Sequence, residues 1–106
     1  MKILQCNTNR SRAAHDLLDN TLESLGYEIA LVSEPNHARA RSTNWTVDTR
    51  GSAAIWMSKE MQGKTVARGR GDGYVWVDSE AAVLYSCYIS PNVTSDQFED
   101  YLEDVE

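Results

Sequence analysis

KILQCNTNRSRAAHDLLDNTLESLGYEIALVSEP, residues 2–35, holds two short apolar runs on either side of one amphipathic stretch. The first run, Lys2 to Cys6, has the length and texture of a buried strand. Ala14, Leu17, Leu18, Thr21, Leu22 and Leu25 then recur at helical spacing and predict a helix; Asn9 or Ser11 can cap its start, and Gly26 suits its end. Ile29 to Val32 is a second buried strand. Strand, helix and strand within about 30 residues make a βαβ unit, whose two strands run parallel through a right-handed crossover.

Downstream the texture changes. From Trp45 onward the chain carries β-rich segments at short spacing: 45–48, 53–57, 65–68, 74–78 and 82–89. Antiparallel hairpins are expected there, with Gly69 to Gly73 supplying positive-φ positions and Asp78-Ser79-Glu80 a tighter reversal. Thr94 and Gln97 form a capping box, and Phe98, Leu102 and Val105 give the helix after it an apolar side. That helix has neither a Gly cap nor a basic last turn before Glu106, and reads as cut rather than finished.

With 106 residues, the chain allows one small domain, covering 1–106; 42% hydrophobic and 25% charged residues with only 2 Pro and 6 Gly make it a folded one. No apolar run reaches the length of a membrane span, and the N-terminus lacks the pattern of a secretory signal. These features predict a soluble intracellular protein with no membrane partner. Cys6 and Cys87 lie in apolar segments without metal-binding spacing and are expected as buried free thiols.

Net charge is −6, which speaks against a surface that grips nucleic acid everywhere. All 10 Lys and Arg and 7 acids lie at or before Arg70, whereas 9 acids and no base follow it. A basic partner surface followed by an acidic helix fits this bias, as does an ordinary solvated face.

Ligands of open α/β sheets bind outside the carboxyl ends of the strands. Three polar clusters occupy such ends: Asn7-Thr8-Asn9, Ser33-Glu34-Pro35-Asn36, and Tyr88 with Ser90-Pro91-Asn92. If the last strand runs parallel to the first two, the clusters converge on one edge of the sheet. Singly, each has a plainer reading: Asn9 as a helix cap, Glu34 as a loop carboxylate, Tyr88 as a strand aromatic. Together, a carboxylate with amide oxygens offers hard ligands for a divalent cation such as Mg²⁺, and a nearby phenol can hold a phosphate oxygen.

The order strand-Asn-x-Asn, strand-Ser-Glu-Pro, Gly-Ser-Ala-Ala-Ile-Trp and Ser-Cys-Tyr-Ile-Ser-Pro-Asn resembles the first half of the endonuclease/exonuclease/phosphatase domain. Within that superfamily, residues 4–18 and Val32-Ser33-Glu34-Pro35 are similar to the endonuclease domains of arthropod site-specific non-LTR retrotransposons. The resemblance implies a truncated half of a four-layer α/β sandwich, and a parent that nicks DNA by Mg²⁺-dependent phosphodiester hydrolysis, in the nucleus, leaving a 3′-hydroxyl for reverse transcription. It implies that Asn7 belongs to the active-site polar network and that Glu34 binds the metal, with Asn9 beside it. Tyr88 would contact the scissile phosphate, and Asn92 would lie in the adjoining loop. DNA contacts are expected from Arg10, Arg12, Arg39, Arg41 and Asn44, with Arg50 and Trp45 in the same long loop.

The departures matter as much. The family's second half supplies a Gly-Asp-x-Asn segment, a further acidic residue and a terminal Ser-Asp-His, and none occurs in these 106 residues. His15 and His37 read as surface or loop residues. The chain alone is therefore expected to be inactive. It is also expected to contribute about one sheet, whose bare inner face would favour self-association. The alternative reading is a non-catalytic α/β remnant that binds nucleic acid or protein.

Overall fold

A computed structural model describes residues 2–80 and 82–88; the capping box, the helix after it and Asn92 lie outside the described residues. The βαβ unit is present as β1 (Ile3–Asn7), α1 (Arg12–Ser24) and β2 (Ile29–Ser33), with β1 and β2 parallel and paired from Ile3↔Ile29 to Asn7↔Ser33. Ser11 is the N-cap, its hydroxyl accepting from the Ala14 N–H at 3.2 Å. Gly26 follows the helix at φ +66°, the left-handed position that a Cβ disfavours.

Two antiparallel strands complete the first sheet. β3 (Trp45–Val47) pairs with β4 (Ala53–Met57), which pairs with β2, giving the order β1-β2-β4-β3. A single turn of helix, α2 (Lys59–Gly63), capped by Ser58, then leads into β5 (Thr65–Gly71), β6 (Tyr74–Ser79) and β7 (Val83–Cys87), an antiparallel meander. Gly69 to Gly71 belong to β5, so the reversal narrows to Asp72-Gly73, with Gly73 at φ +84°.

Alternation along β2 and β4 explains why their sequences are apolar throughout. Ala30, Val32 and Ala54 pack with Leu18 and Leu22 of α1, while Ile29, Ala53, Ile55 and Met57 pack with Val75 and Val77 of β6 and Met61 of α2. The described residues thus form a mixed α/β domain of two sheets and two helices, layered as α1, four-stranded sheet, three-stranded sheet.

Several expectations are corrected by this packing. The chain contributes two sheets, and the inner face is filled by its own meander; the outer side of the three-stranded sheet carries the exposed Val83 and Tyr85. Leu17 and Leu25 of the helical stripe are exposed, and the inward position is taken by His15, which is fully buried, its ring tilted at 50° to that of Trp45 with centroids 4.9 Å apart. Both thiols are free, yet Cys6 is only half-buried and Cys87 is exposed. No helix among the described residues is long and apolar enough to cross a membrane.

Candidate active site

Parallel pairing of β1 with β2 sets Asn7 beside Ser33, so the residues that follow each strand emerge from the same edge. The two loops are laced together there. The Glu34 carbonyl accepts from the Arg10 N–H at 2.7 Å and from the Thr8 hydroxyl at 2.8 Å, while the Glu34 N–H donates to Ser52 O at 2.7 Å. Asn36 donates its side-chain amide to Arg10 O at 3.0 Å. Asn7 Oδ1 accepts from the Asn9 N–H at 2.7 Å and closes the turn at the end of β1.

Three residues other than glycine take the left-handed conformation among those described, and all three are here: Asn9 (φ 50°), Arg10 (φ 59°) and Glu34 (φ 50°). Asparagine tolerates this region; arginine and glutamate do not prefer it. Such strain collects at sites where the surrounding structure fixes a functional geometry. The lacing described above is what holds it.

Tyr88 reaches this edge from the other sheet. The expected route, a last strand parallel to β1 and β2 in one sheet, is corrected: β7 pairs with β6 in the second sheet. It lies over β2 instead, with the buried Ser86 hydroxyl donating to Val32 O at 3.3 Å. Two residues on, the Tyr88 phenol lies beside the Glu34 carboxylate. Contact with Glu34, then burial and the carboxylate's charge, push the phenol above its ordinary pKa, and the Arg10 guanidinium pulls it partly back. Since Ser86 sits at Val32 and Tyr88 at Glu34, β7 and β2 run in the same sense across the interface between the sheets.

The basic candidates are distributed unevenly. Arg10 spans Gly51 O (3.2 Å) and His37 Nε2 (3.1 Å) beside the Glu34 loop. Arg39 is paired with Asp16 at 2.8 Å, and Arg50 with Asp72 in the β5–β6 turn. Arg12 is exposed on α1. Asn44 lies at the opposite end of the sheet, its amide donating to Met57 O at 3.0 Å, and Trp45 is buried. Arg41 is exposed beside the edge strand β3. His37 is in the exposed loop as expected, whereas His15 is a core residue.

Asp48 escaped the sequence reading. Buried at the end of β3, its carboxylate accepts from the Ser52 N–H (2.6 Å), the Ser52 hydroxyl (2.8 Å), the Ala53 N–H (3.1 Å) and the Gly73 N–H (2.8 Å). It therefore ties the β3–β4 turn of one sheet to the β5–β6 turn of the other. Gly73 O in turn accepts from the Tyr88 N–H at 2.9 Å, which carries the brace to the site.

A mixed sheet and an antiparallel meander, which meet at one edge in a carboxylate and a phenol, can now be set against known proteins. The fold is similar to part of a retrotransposon endonuclease domain of known structure. The solved structure "Endonuclease domain of TRAS1, a telomere-specific non-LTR retrotransposon" superposes with a TM-score of 0.71 over 98% of this chain, at 21% identity. The chain spans 52% of the TRAS1 domain's length. No protein-family model matches the chain, and no curated protein sequence matches it.

As a cation site, the described residues offer one part of a ligand set. No group of three or more His, Cys, Asp or Glu side chains that could hold a metal ion occurs among them; Asp48 near this edge is buried and taken up by its four donors, which leaves Glu34. Mg²⁺ keeps several waters and is commonly held by one or two carboxylates together with substrate phosphates. Glu34 fits the role of such an anchor, with amide oxygens on the turn beside it, and does not by itself make a closed cage.

Proposed function

We propose that this chain is the N-terminal half of a Mg²⁺-dependent DNA endonuclease of the endonuclease/exonuclease/phosphatase superfamily, of the kind carried by arthropod non-LTR retrotransposons. The observation that carries the reading is the meeting of Glu34 and Tyr88 across the two sheets, on a fold shared with the TRAS1 domain over half of that domain's length. The complete fold would be the four-layer α/β sandwich, of which this chain holds three layers among its described residues. DNA is the partner of the intact parent, working in the nucleus. The outer side of the three-stranded sheet, with Val83 and Tyr85, is the surface through which an isolated half would self-associate.

In this reading Glu34 anchors the cation, with Asn9 near it and Asn7 in the same polar network. A bound Mg²⁺ supplies charge neutralisation on the phosphate being cleaved. Tyr88, a phenol with an ordinary pKa of about 10, carries its proton at neutral pH and can donate a hydrogen bond to a phosphate oxygen. Arg10, oriented by Gly51 O and His37, places a positive guanidinium beside the same edge and favours an incoming polyanion. Asn92 is assigned to the adjoining loop, and Arg12, Arg39, Arg41 and Asn44 to the DNA-contacting surface, by resemblance alone.

The base that activates water is assigned to the second half of the domain. A supercoiled-plasmid assay with Mg²⁺ tests this on the 106-residue chain and on the same chain extended through whatever coding sequence follows Glu106. The chain alone should not nick, and the extended product should nick and lose that activity in Glu34→Gln. Nicking by the chain alone would refute the half-site assignment. Nicking by the extended product that survives Glu34→Gln would refute the role of Glu34.

A further inference from the structure

We infer that the cleft between the outer edge strands β3 and β5 is a separate nucleic-acid contact, gripping the phosphates of a single strand through Arg41, Arg68 and Arg70. It lies along the flank of the two sheets rather than at the Glu34 edge, takes Arg41 from the contact surface proposed for that edge, and requires no cleavage for binding.

Register explains how the arginines come to face the cleft. Arg68 and Arg70 pair with Val77 and Val75, the two residues of β6 that point at the first sheet. They therefore share that inward side of β5. Both β3 and β5 are edge strands, so the arginines meet no fully packed neighbour and border an open cleft of about 490 Å³. Arg70 bridges it, donating from Nη1 to Val47 O at 3.3 Å and keeping its other N–H groups for a ligand. Arg41, Ser42 and Thr43 close one end.

Charge makes the cleft unlike the rest of the surface. Arg39 and Arg50 are neutralised by Asp16 and Asp72, whereas Arg41, Arg68 and Arg70 have no ion pair among the described residues. No acidic residue lines the cleft, in a protein whose net charge is −6. Three guanidiniums held together without a counterion suit a ligand with several anionic groups in a row. Alternate residues on a strand stand roughly 6.8 Å apart, a separation comparable with that of successive phosphates on an extended nucleic-acid strand. A cleft of this size can take in part of one strand and is too small to enclose a duplex. Hydroxyls of Ser42 and Thr43 add neutral donors to the same backbone.

Inward-pointing arginines also protect a sheet edge from pairing with another chain, and that role alone would explain their position. Fluorescence anisotropy of a labelled single-stranded oligodeoxynucleotide, in EDTA and across a salt series, separates the two. Loss of both phosphate contacts in R68A/R70A should weaken binding roughly tenfold and flatten the log–log salt slope by about 1.4, while R68K/R70K should keep the slope. R41A, in a loop outside both sheets, should flatten it by about 0.7 and serves if the double variant misfolds. Affinity and slope unchanged in folded R68A/R70A or R41A, with or without aggregation of the double variant, would leave edge protection only and overturn the proposal. Equal loss of duplex and single-strand binding would overturn the single-strand assignment. EDTA removes cleavage from the measurement, so failure of the nuclease reading would not affect it.

Discussion

The Tyr88 hydroxyl, carried by one sheet, faces the Glu34 carboxylate, carried by the other. Neither residue's own strand pairing brings them together. Ser86 fixes β7 over β2 through Val32 O, Asp48 fixes the Gly73 turn, and Gly73 O fixes the Tyr88 backbone. The site is thus a property of sheet stacking, and its geometry depends on groups that touch no ligand.

Glu34 sits at φ 50°, where a side chain other than glycine or asparagine is strained. Glu34→Ala and Glu34→Gly both remove the carboxylate that faces Tyr88, so their difference isolates the backbone. We expect Glu34→Gly to be more stable than Glu34→Ala by about 1 kcal/mol in urea denaturation. At ordinary extended or helical positions the order is reversed. Alanine equal to or better than glycine would show that the left-handed conformation is not under strain.

Asp48→Ala strips four donors of their acceptor in a buried place. Unsatisfied buried N–H groups are expensive, and the expected loss is about 3 kcal/mol or more. Asp48→Asn restores one acceptor oxygen but turns an amide N–H₂ toward other donors, so it should rescue only part. Amide exchange at Gly73 should accelerate in both variants. Protection of Gly73 unchanged in a folded variant would mean that the brace is not what holds the turn.

Much of this architecture was readable because periodicity reports local structure. The βαβ unit follows from a helical stripe between two apolar runs, and the hairpins follow from β-rich segments punctuated by glycine. Periodicity does not report which sheet a strand joins, so the meander's return over β2 was invisible. The stripe of α1 was misread at Leu17 because hydropathy ranks histidine below leucine; His15 is buried since Trp45 packs against it and the Asn36 N–H donates to its Nδ1 at 3.4 Å. α2, at five residues, is too short to show a period. Asp48 was unreadable for a different reason: which carboxylate gathers scattered N–H groups depends on turns that only the folded chain brings together.

His15 is expected to make stability pH-dependent. Burial lowers its pKa, against the opposing pull of Asp19 and Asp16 and with a smaller push from Arg39. Nε2 has no hydrogen-bond partner and stands 3.7 Å from Asp19 Oδ1, beyond bonding distance. A folded pKa below the unfolded value of about 6.5 means that the unfolded chain binds more protons as pH falls through that value. Stability should therefore be fully present above about pH 6.5 and decline below it. His15→Asn, whose Oδ1 stands where Nδ1 does and can still accept from Asn36, should flatten the melting temperature between about pH 5 and 6.5. A slope that persists in the variant would assign the dependence to other groups.

Gly51 and Gly26 both have positive φ, +73° and +66°, yet their surroundings differ. A Cβ at Gly26 meets nothing, whereas at Gly51 it would run into the His37 imidazole. That ring contacts Gly51 O at 3.0 Å and Arg10 Nη1 at 3.1 Å, so displacing it also releases the guanidinium from its place beside Glu34. Gly26→Ala should cost about 1 kcal/mol from backbone strain alone. Gly51→Ala carries the same strain and adds a steric term, for an expected total of about 2 kcal/mol. Urea denaturation gives both values, and the His37 ring resonances report whether the imidazole has moved. Equal losses with an unmoved ring would show that His37 gives way freely and that Arg10 does not depend on it.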